Sequence, residues 1–298
     1  TDPEAPRETE LADWLLTMDD IYRIRMAEVT SDDNVRVRFT DKDALSDFSA
    51  SMEGYTVGEG DDAWEFDAKR FNRMNGEDQF KLMLEELGPN DTEYMSTIEI
   101  RDDPKAFDTF RKPIWGYLDN SCAASECHGG AEGAGGLKLI HGTANSSSEW
   151  GRRVYYTNFL ILDKANGADG KVIDRDTPED SLLLQFGLPA DRAKFKHPLV
   201  GGQDIVAIFT GVKDEKYENV LEWIRDDLGG PIHPRYNVSF TVPAAKIAAA
   251  KRDAEANSDT PEDGDETSDE VVPDETTDPA DEVAPAEEPA TESDDSNE

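Results

Sequence analysis

The only two cysteines of the chain lie close together, and a histidine directly follows the second one. They are Cys122 and Cys127, with four residues between them, followed by His128. In covalent haem sites, two cysteines form thioethers with the haem vinyl groups, and the adjacent histidine ligates the iron. The usual spacing leaves two residues between the cysteines, but a longer loop still brings both sulfurs to one porphyrin edge. The segment therefore predicts one covalent haem c, with His128 as the proximal iron ligand.

A disulfide between the same two cysteines is the alternative interpretation. Two cysteines in an exported chain can close a small loop without binding any cofactor. The chain would then be a haem-free interaction protein of the cell envelope. A zinc site fits less well, because structural zinc needs four ligands and the sequence has no second Cys/His cluster. Haem attachment and a disulfide both predict an extracytoplasmic location, periplasmic or secreted, with the signal peptide removed.

The acidic charge of the chain is concentrated at its end. The formal net charge is -37, and the segment from Asp253 to Glu298 holds 20 acidic residues and no lysine or arginine. A segment this polar cannot bury enough apolar surface to fold, so it is predicted to be disordered, with a basic protein as a candidate partner. The remainder is also acidic, which argues against nucleic acid as a partner. No apolar run approaches the roughly 20 residues of a membrane span.

Hydrophobic periodicity divides the chain into three parts. The predicted fold is a small α+β domain of unknown role over 1–103, followed by a mainly α, cytochrome c-like haem domain over 104–242. An acidic disordered tail is predicted over 243–298, with a marginal helix at 244–256. Asp103 is expected to cap a helix that starts at Pro104, and Pro113 is expected to kink it. The expected helices are 11–29, 41–52, 77–87, 154–165, 181–186 and 214–228, and the expected strands are 35–39 and 96–101.

Four short segments occur in an order that is specific to one kind of haem domain. They are Cys127-His128-Gly129, the Gly-Gly-Leu-Lys-Leu run at 135–139, the Pro-Glu-Asp-Ser-Leu-Leu run at 178–183, and the Val-Leu-Glu-Trp-Ile run at 220–224. In this order they resemble the c-type cytochrome domains of the planctomycete-type family. The resemblance covers about 104–238, and it implies a covalently bound haem and electron transfer.

The second axial ligand is expected to be a histidine. All six methionines lie at or before Met95, upstream of the haem loop. His197, followed by Pro198, stands where the similar domains carry Met-Pro, so it is the expected sixth ligand, although a five-coordinate iron stays an alternative. Phe186 and Trp223 are candidates for the wall of the haem pocket. No acid–base machinery is found, which favours an electron carrier with a redox partner protein over an enzyme.

Overall fold

Helices and short antiparallel strand pairs alternate in the first hundred residues. The computed structural model describes residues 12–58, 60–89, 91, 93–141, 148–228 and 236–258. The helices of this first part are α1 (Met18–Ala27), α2 (Lys42–Ser51), α3 (Ala68–Phe71) and α4 (Gly76–Leu87), with 3-10 turns at Ala12–Trp14, Gly60–Asp62 and Met95–Thr97. The strands are β1 (Val37–Phe39), β2 (Thr56–Val57), β3 (Trp64–Glu65) and β4 (Ile98–Ile100). Strand β1 pairs with β4 and β2 pairs with β3, both antiparallel.

Local capping decides where α1 begins. The sequence predicts a helix from Leu11, but the described helix starts at Met18. Thr17 and Asp20 form a capping box, in which the Thr17 hydroxyl accepts from the Asp20 N–H at 3.1 Å and the Asp20 carboxylate accepts from the Thr17 N–H at 3.1 Å. This reciprocal pair satisfies two free N–H groups of the helix terminus, so the helix begins there.

The remainder of the chain is mainly helical, as expected. Its helices are α5 (Lys105–Thr109), α6 (Trp115–Asp119), α7 (Glu149–Lys164), α8 (Leu182–Gln185), α9 (Glu215–Glu222) and α10 (Pro243–Ser258). A small hairpin joins β5 (Asn166–Gly167) to β6 (Gly170–Lys171), and a 3-10 turn covers Pro178–Asp180. Helix α10 lies where the sequence predicts a marginal helix, so the described start of the tail segment is helical and not disordered. Residues 259–298 lie outside the described residues.

The expectation that Asp103 caps the next helix is wrong. Pro104 occupies the N-cap position and makes no side-chain cap, and the Lys105 N–H donates instead to the carboxylate of Asp33 at 2.7 Å. Asp103 forms an ion pair with Arg25 of α1 at 2.9 Å. The buried guanidinium of Arg25 requires a negative charge nearby, and Asp103 supplies it. The end of helix α5 does not depend on Asp103, because its free N–H bonds to Asp33.

Two π-helical turns interrupt the helices around the core. One covers Phe110–Ile114 between α5 and α6 and contains Pro113, and the other covers Trp223–Asp227 after α9. Proline lacks the N–H that a regular turn requires, so a widened turn accommodates it inside a helix. The Phe110 and Trp223 rings stack at 5.3 Å, which brings the two turns together in the core.

Helix α1 contributes to both main apolar cores. Ile21 and Ile24 pack in the larger core with helices α5 to α9, whereas Met26 packs in the smaller core with Phe48 and Phe80. The chain up to Glu255 forms one compact unit, and α10 ends in a second unit that starts at Ala256. The larger core therefore includes side chains from the first hundred residues.

Candidate cofactor site

The loop that carries both cysteines folds back on itself immediately after α6. The Cys127 N–H donates to the Ala124 carbonyl at 2.9 Å, and the His128 N–H donates to the Cys122 carbonyl at 3.0 Å. The second bond closes a ring of backbone around the whole Cys122–His128 segment. Consecutive turns thus take up the two extra residues of the motif and keep both cysteines and the histidine in one compact loop.

Both cysteines are free thiols and partly exposed in the structure. Neither Cys122 nor Cys127 forms a disulfide. Burial raises the pKa of both thiols, so they are neutral at neutral pH. The disulfide alternative is thus not the state that the structure describes.

His128 has a defined tautomer because of its hydrogen bonds. Its Nδ1 lies 3.0 Å from the Ala134 carbonyl oxygen and 3.3 Å from the Leu137 carbonyl oxygen. Carbonyl oxygens only accept, so Nδ1 carries the proton and donates it, which leaves the lone pair on Nε2. Burial lowers the pKa of His128, which keeps the ring neutral. A neutral imidazole held through Nδ1 is the arrangement that metal-ligating histidines use.

The glycines after His128 permit a close backbone contact. A Cβ on Gly129 would lie 1.9 Å from the Ala123 carbonyl oxygen, so only glycine fits there. The buried ammonium of Lys138 donates to the carbonyls of Gly129, at 2.8 Å, and Gly130. Burial lowers the pKa of Lys138. In the sequence, Lys138 is only one residue of the Gly-Gly-Leu-Lys-Leu run. In the structure, its ammonium group bonds to the two glycines that follow His128 and so holds this part of the loop in place.

The structure brings His197 next to His128. The two ring centroids are 6.0 Å apart and the ring planes make an angle of 65°. His197 is also held through Nδ1, which lies 2.7 Å from the Pro198 carbonyl oxygen, so its Nε2 carries the lone pair as well. Phe186, which follows α8, contacts the His197 ring with centroids 5.1 Å apart. Three of the predicted site residues therefore lie together, although they are far apart in the sequence.

The separation of the two imidazole rings is similar to the length that ligation of one metal ion by both rings would require. Two metal–nitrogen bonds of about 2.0 Å each make up about two thirds of the 6.0 Å between the centroids, and the distance from each nitrogen to its ring centre makes up the remainder. Among the described residues, the Nε2 atoms of His128 and His197 have no hydrogen-bond partner, and the cysteine loop carries two free thiols, which together would supply the donors that a covalently attached haem needs. The residues present fit that group.

Trp223 lies in the helical core. The side chain is completely buried, its indole N–H donates to the Ala106 carbonyl at 2.8 Å, and its ring contacts are with Phe110 and Phe159. Of the two residues predicted to line the pocket, Phe186 contacts a candidate ligand, whereas Trp223 packs the helices behind the site.

The other histidines have different surroundings. His141 is half-exposed, and its Nδ1 lies 3.3 Å from a carboxylate oxygen of the buried Asp119 at the end of α6. His233 lies outside the described residues. Within the part of the chain that is described, no three His, Cys, Asp or Glu side chains cluster as a metal site made of protein ligands alone.

No family model, no curated protein and no solved structure matches the chain. None of the helices in the described ranges is both long and apolar enough to cross a bilayer.

Proposed function

We propose that the chain is an exported monohaem c-type cytochrome that transfers single electrons. Thioethers at Cys122 and Cys127 attach the haem, His128 is the proximal ligand, and His197 is the sixth ligand. The observation that supports this most strongly is the histidine pair, with ring centroids 6.0 Å apart and each Nδ1 bound to a backbone carbonyl. Two rings held in this way present their Nε2 lone pairs without any rearrangement of tautomers.

The haem, when bound, supplies an iron that changes between ferric and ferrous states. The chain's own residues fix the ligands and shield them. The Ala134 and Leu137 carbonyls fix the tautomer and orientation of His128, and Phe186 covers one side of His197. Two imidazole ligands favour ferric iron more than a histidine–methionine pair does, so a comparatively low reduction potential is expected.

We propose that the protein transfers electrons and does not convert a substrate. The redox partner is another protein, and the location is outside the cytoplasm, as the resemblance to c-type cytochrome domains implies. This function depends on covalent attachment, so the cysteines are the residues to test.

Replacement of one thiol tests the attachment. Cys127→Ser, produced in a host that exports proteins and attaches haem, is expected to lose the haem or to hold it without a bond at position 127. Intact mass under denaturing conditions measures the covalently attached fraction. Ser125→Ala is the matched control, because Ser125 is an exposed residue of the same loop whose hydroxyl donates to the neighbouring Glu126 carboxylate. This variant is expected to keep stoichiometric haem. Stable, stoichiometric haem in Cys127→Ser would contradict the proposal.

A further inference from the structure

A second candidate site lies away from the cysteine loop, beside α1. A cavity of about 320 Å³ opens between α1, β4 and the start of α7. The half-buried Met18 and Tyr22 contribute apolar wall, and Arg25, Arg101 and Arg152 contribute positive charge. None of the residues that line it belongs to the candidate cofactor site. The cavity therefore combines an apolar wall with a cluster of positive charge.

Two of these three arginines lack an ion-pair partner. Arg25 is neutralised by Asp103 at 2.9 Å. In contrast, the side chains of Arg101 and Arg152 make no hydrogen bond or ion pair with any residue that the structure describes, and the Nε of Arg152 is shielded from solvent. Neither side chain has a carboxylate partner among the described residues, so an anion that enters the cavity would supply a counter-charge to both.

The positive cluster is unusual in this chain. The formal net charge is -37, so a cavity lined by two arginines without an ion-pair partner among the described residues is a local exception to the acidic character of the chain. One carboxylate, that of Glu99, also lines the cavity, and its closest cation is Arg38 on the paired strand at 3.6 Å. A ligand with a single negative charge would meet less repulsion from Glu99 than one with two charges.

We propose that this cavity binds a small organic monoanion, with its carboxylate on Arg101 and Arg152 and its apolar body against Met18 and Tyr22. Guanidinium groups match the planar geometry of a carboxylate and bind it with two parallel hydrogen bonds. The apolar wall gives preference to a carboxylate with a hydrocarbon body over a simple inorganic anion. This site is independent of haem.

Calorimetric titration of the full-length protein with octanoate tests the proposal. Saturable binding of one octanoate per chain is expected, with no saturable binding of 1-octanol, which has the same chain length but no charge. Arg152→Gln is expected to weaken octanoate binding about tenfold or more, because it removes one charged hydrogen-bonding partner. Arg101→Gln, at an exposed position, is expected to weaken it in the same direction. Far-UV circular dichroism verifies that both variants are folded.

Arg73→Gln is the matched control. Arg73 is exposed and lies outside the cavity lining, and the substitution changes the net charge equally, so octanoate affinity is expected to be unchanged. The proposal is overturned if octanoate does not bind or if 1-octanol binds equally well. It is also overturned if inorganic phosphate binds as tightly as octanoate, or if folded Arg152→Gln binds like the unmodified protein. None of these results bears on haem content, so the cytochrome proposal is judged separately.

Discussion

At the scale of single residues, the chemistry of the site depends on how two histidines are held. Each ring donates its Nδ1 proton to a backbone carbonyl, and the two Nε2 atoms are left as donors for a metal. The sequence predicts His128 from its position after Cys127 and His197 from its place between two helices. It does not predict the carbonyl partners at Ala134 and Leu137, because a turn that places a carbonyl near a side chain leaves no pattern in residue types.

Replacement of the sixth ligand tests the role of His197. His197→Ala is expected to convert ferric protein from low-spin to high-spin, because the strong second imidazole ligand is removed. The visible absorption spectrum measures this change. His141→Ala is the control, since His141 is paired with Asp119 and not with His128, and its spectrum is expected to stay low-spin. A low-spin ferric spectrum in His197→Ala would show that another group is the sixth ligand.

At the scale of elements, backbone packing shapes the loop that carries the two cysteines. The loop after α6 closes through the bond between His128 and Cys122, and Gly129 passes against the Ala123 carbonyl. The order of helices around it could be predicted from periodicity. The wrong prediction that Asp103 caps a helix shows where sequence-based prediction ends. The local sequence favours Asp103 as a helix cap, but its ion pair with Arg25 is a tertiary contact that no local pattern contains.

A methyl group at Gly129 is expected to distort the loop. Gly129→Ala places a Cβ 1.9 Å from a carbonyl oxygen, so the backbone must move, and a loss of about 1–3 kcal/mol in unfolding free energy is expected. Chemical denaturation measures it. Gly116→Ala, in α6 just before the loop, has no atom within 4 Å of the added Cβ. This control is expected to raise stability by about 0.5–1 kcal/mol. Equal stability of the two variants would contradict the described loop.

At the scale of the whole molecule, a buried charge network joins distant parts of the chain. Arg175 donates to Asp163 at 2.9 Å and to the Tyr236 hydroxyl at 2.8 Å, and it forms an ion pair with Glu28 at 2.8 Å. Tyr236 in turn donates to Glu28. These residues come from the end of α1, the end of α7, a loop and the extended segment after α9. Composition could predict an acidic chain, but a network across such sequence separations could not be found from composition or periodicity.

Removal of the central cation is expected to destabilise the protein strongly. Arg175→Met leaves Glu28 and Asp163 buried without their shared cation, and a loss of about 3–5 kcal/mol is expected. Thermal and urea unfolding measure it. Arg225→Met, which breaks only an exposed pair with Asp226, is expected to cost less than about 1 kcal/mol. A comparable, small effect of both substitutions would argue against the buried network.

The central claim is that Cys122 and Cys127 hold one haem. The most direct measurement is the visible spectrum with pyridine haemochrome analysis, together with intact mass, on protein from a compartment that attaches haem. We predict a c-type absorption band and the added mass of one haem. Colourless protein that is two hydrogens lighter than the reduced chain would show a Cys122–Cys127 disulfide instead and would contradict the account.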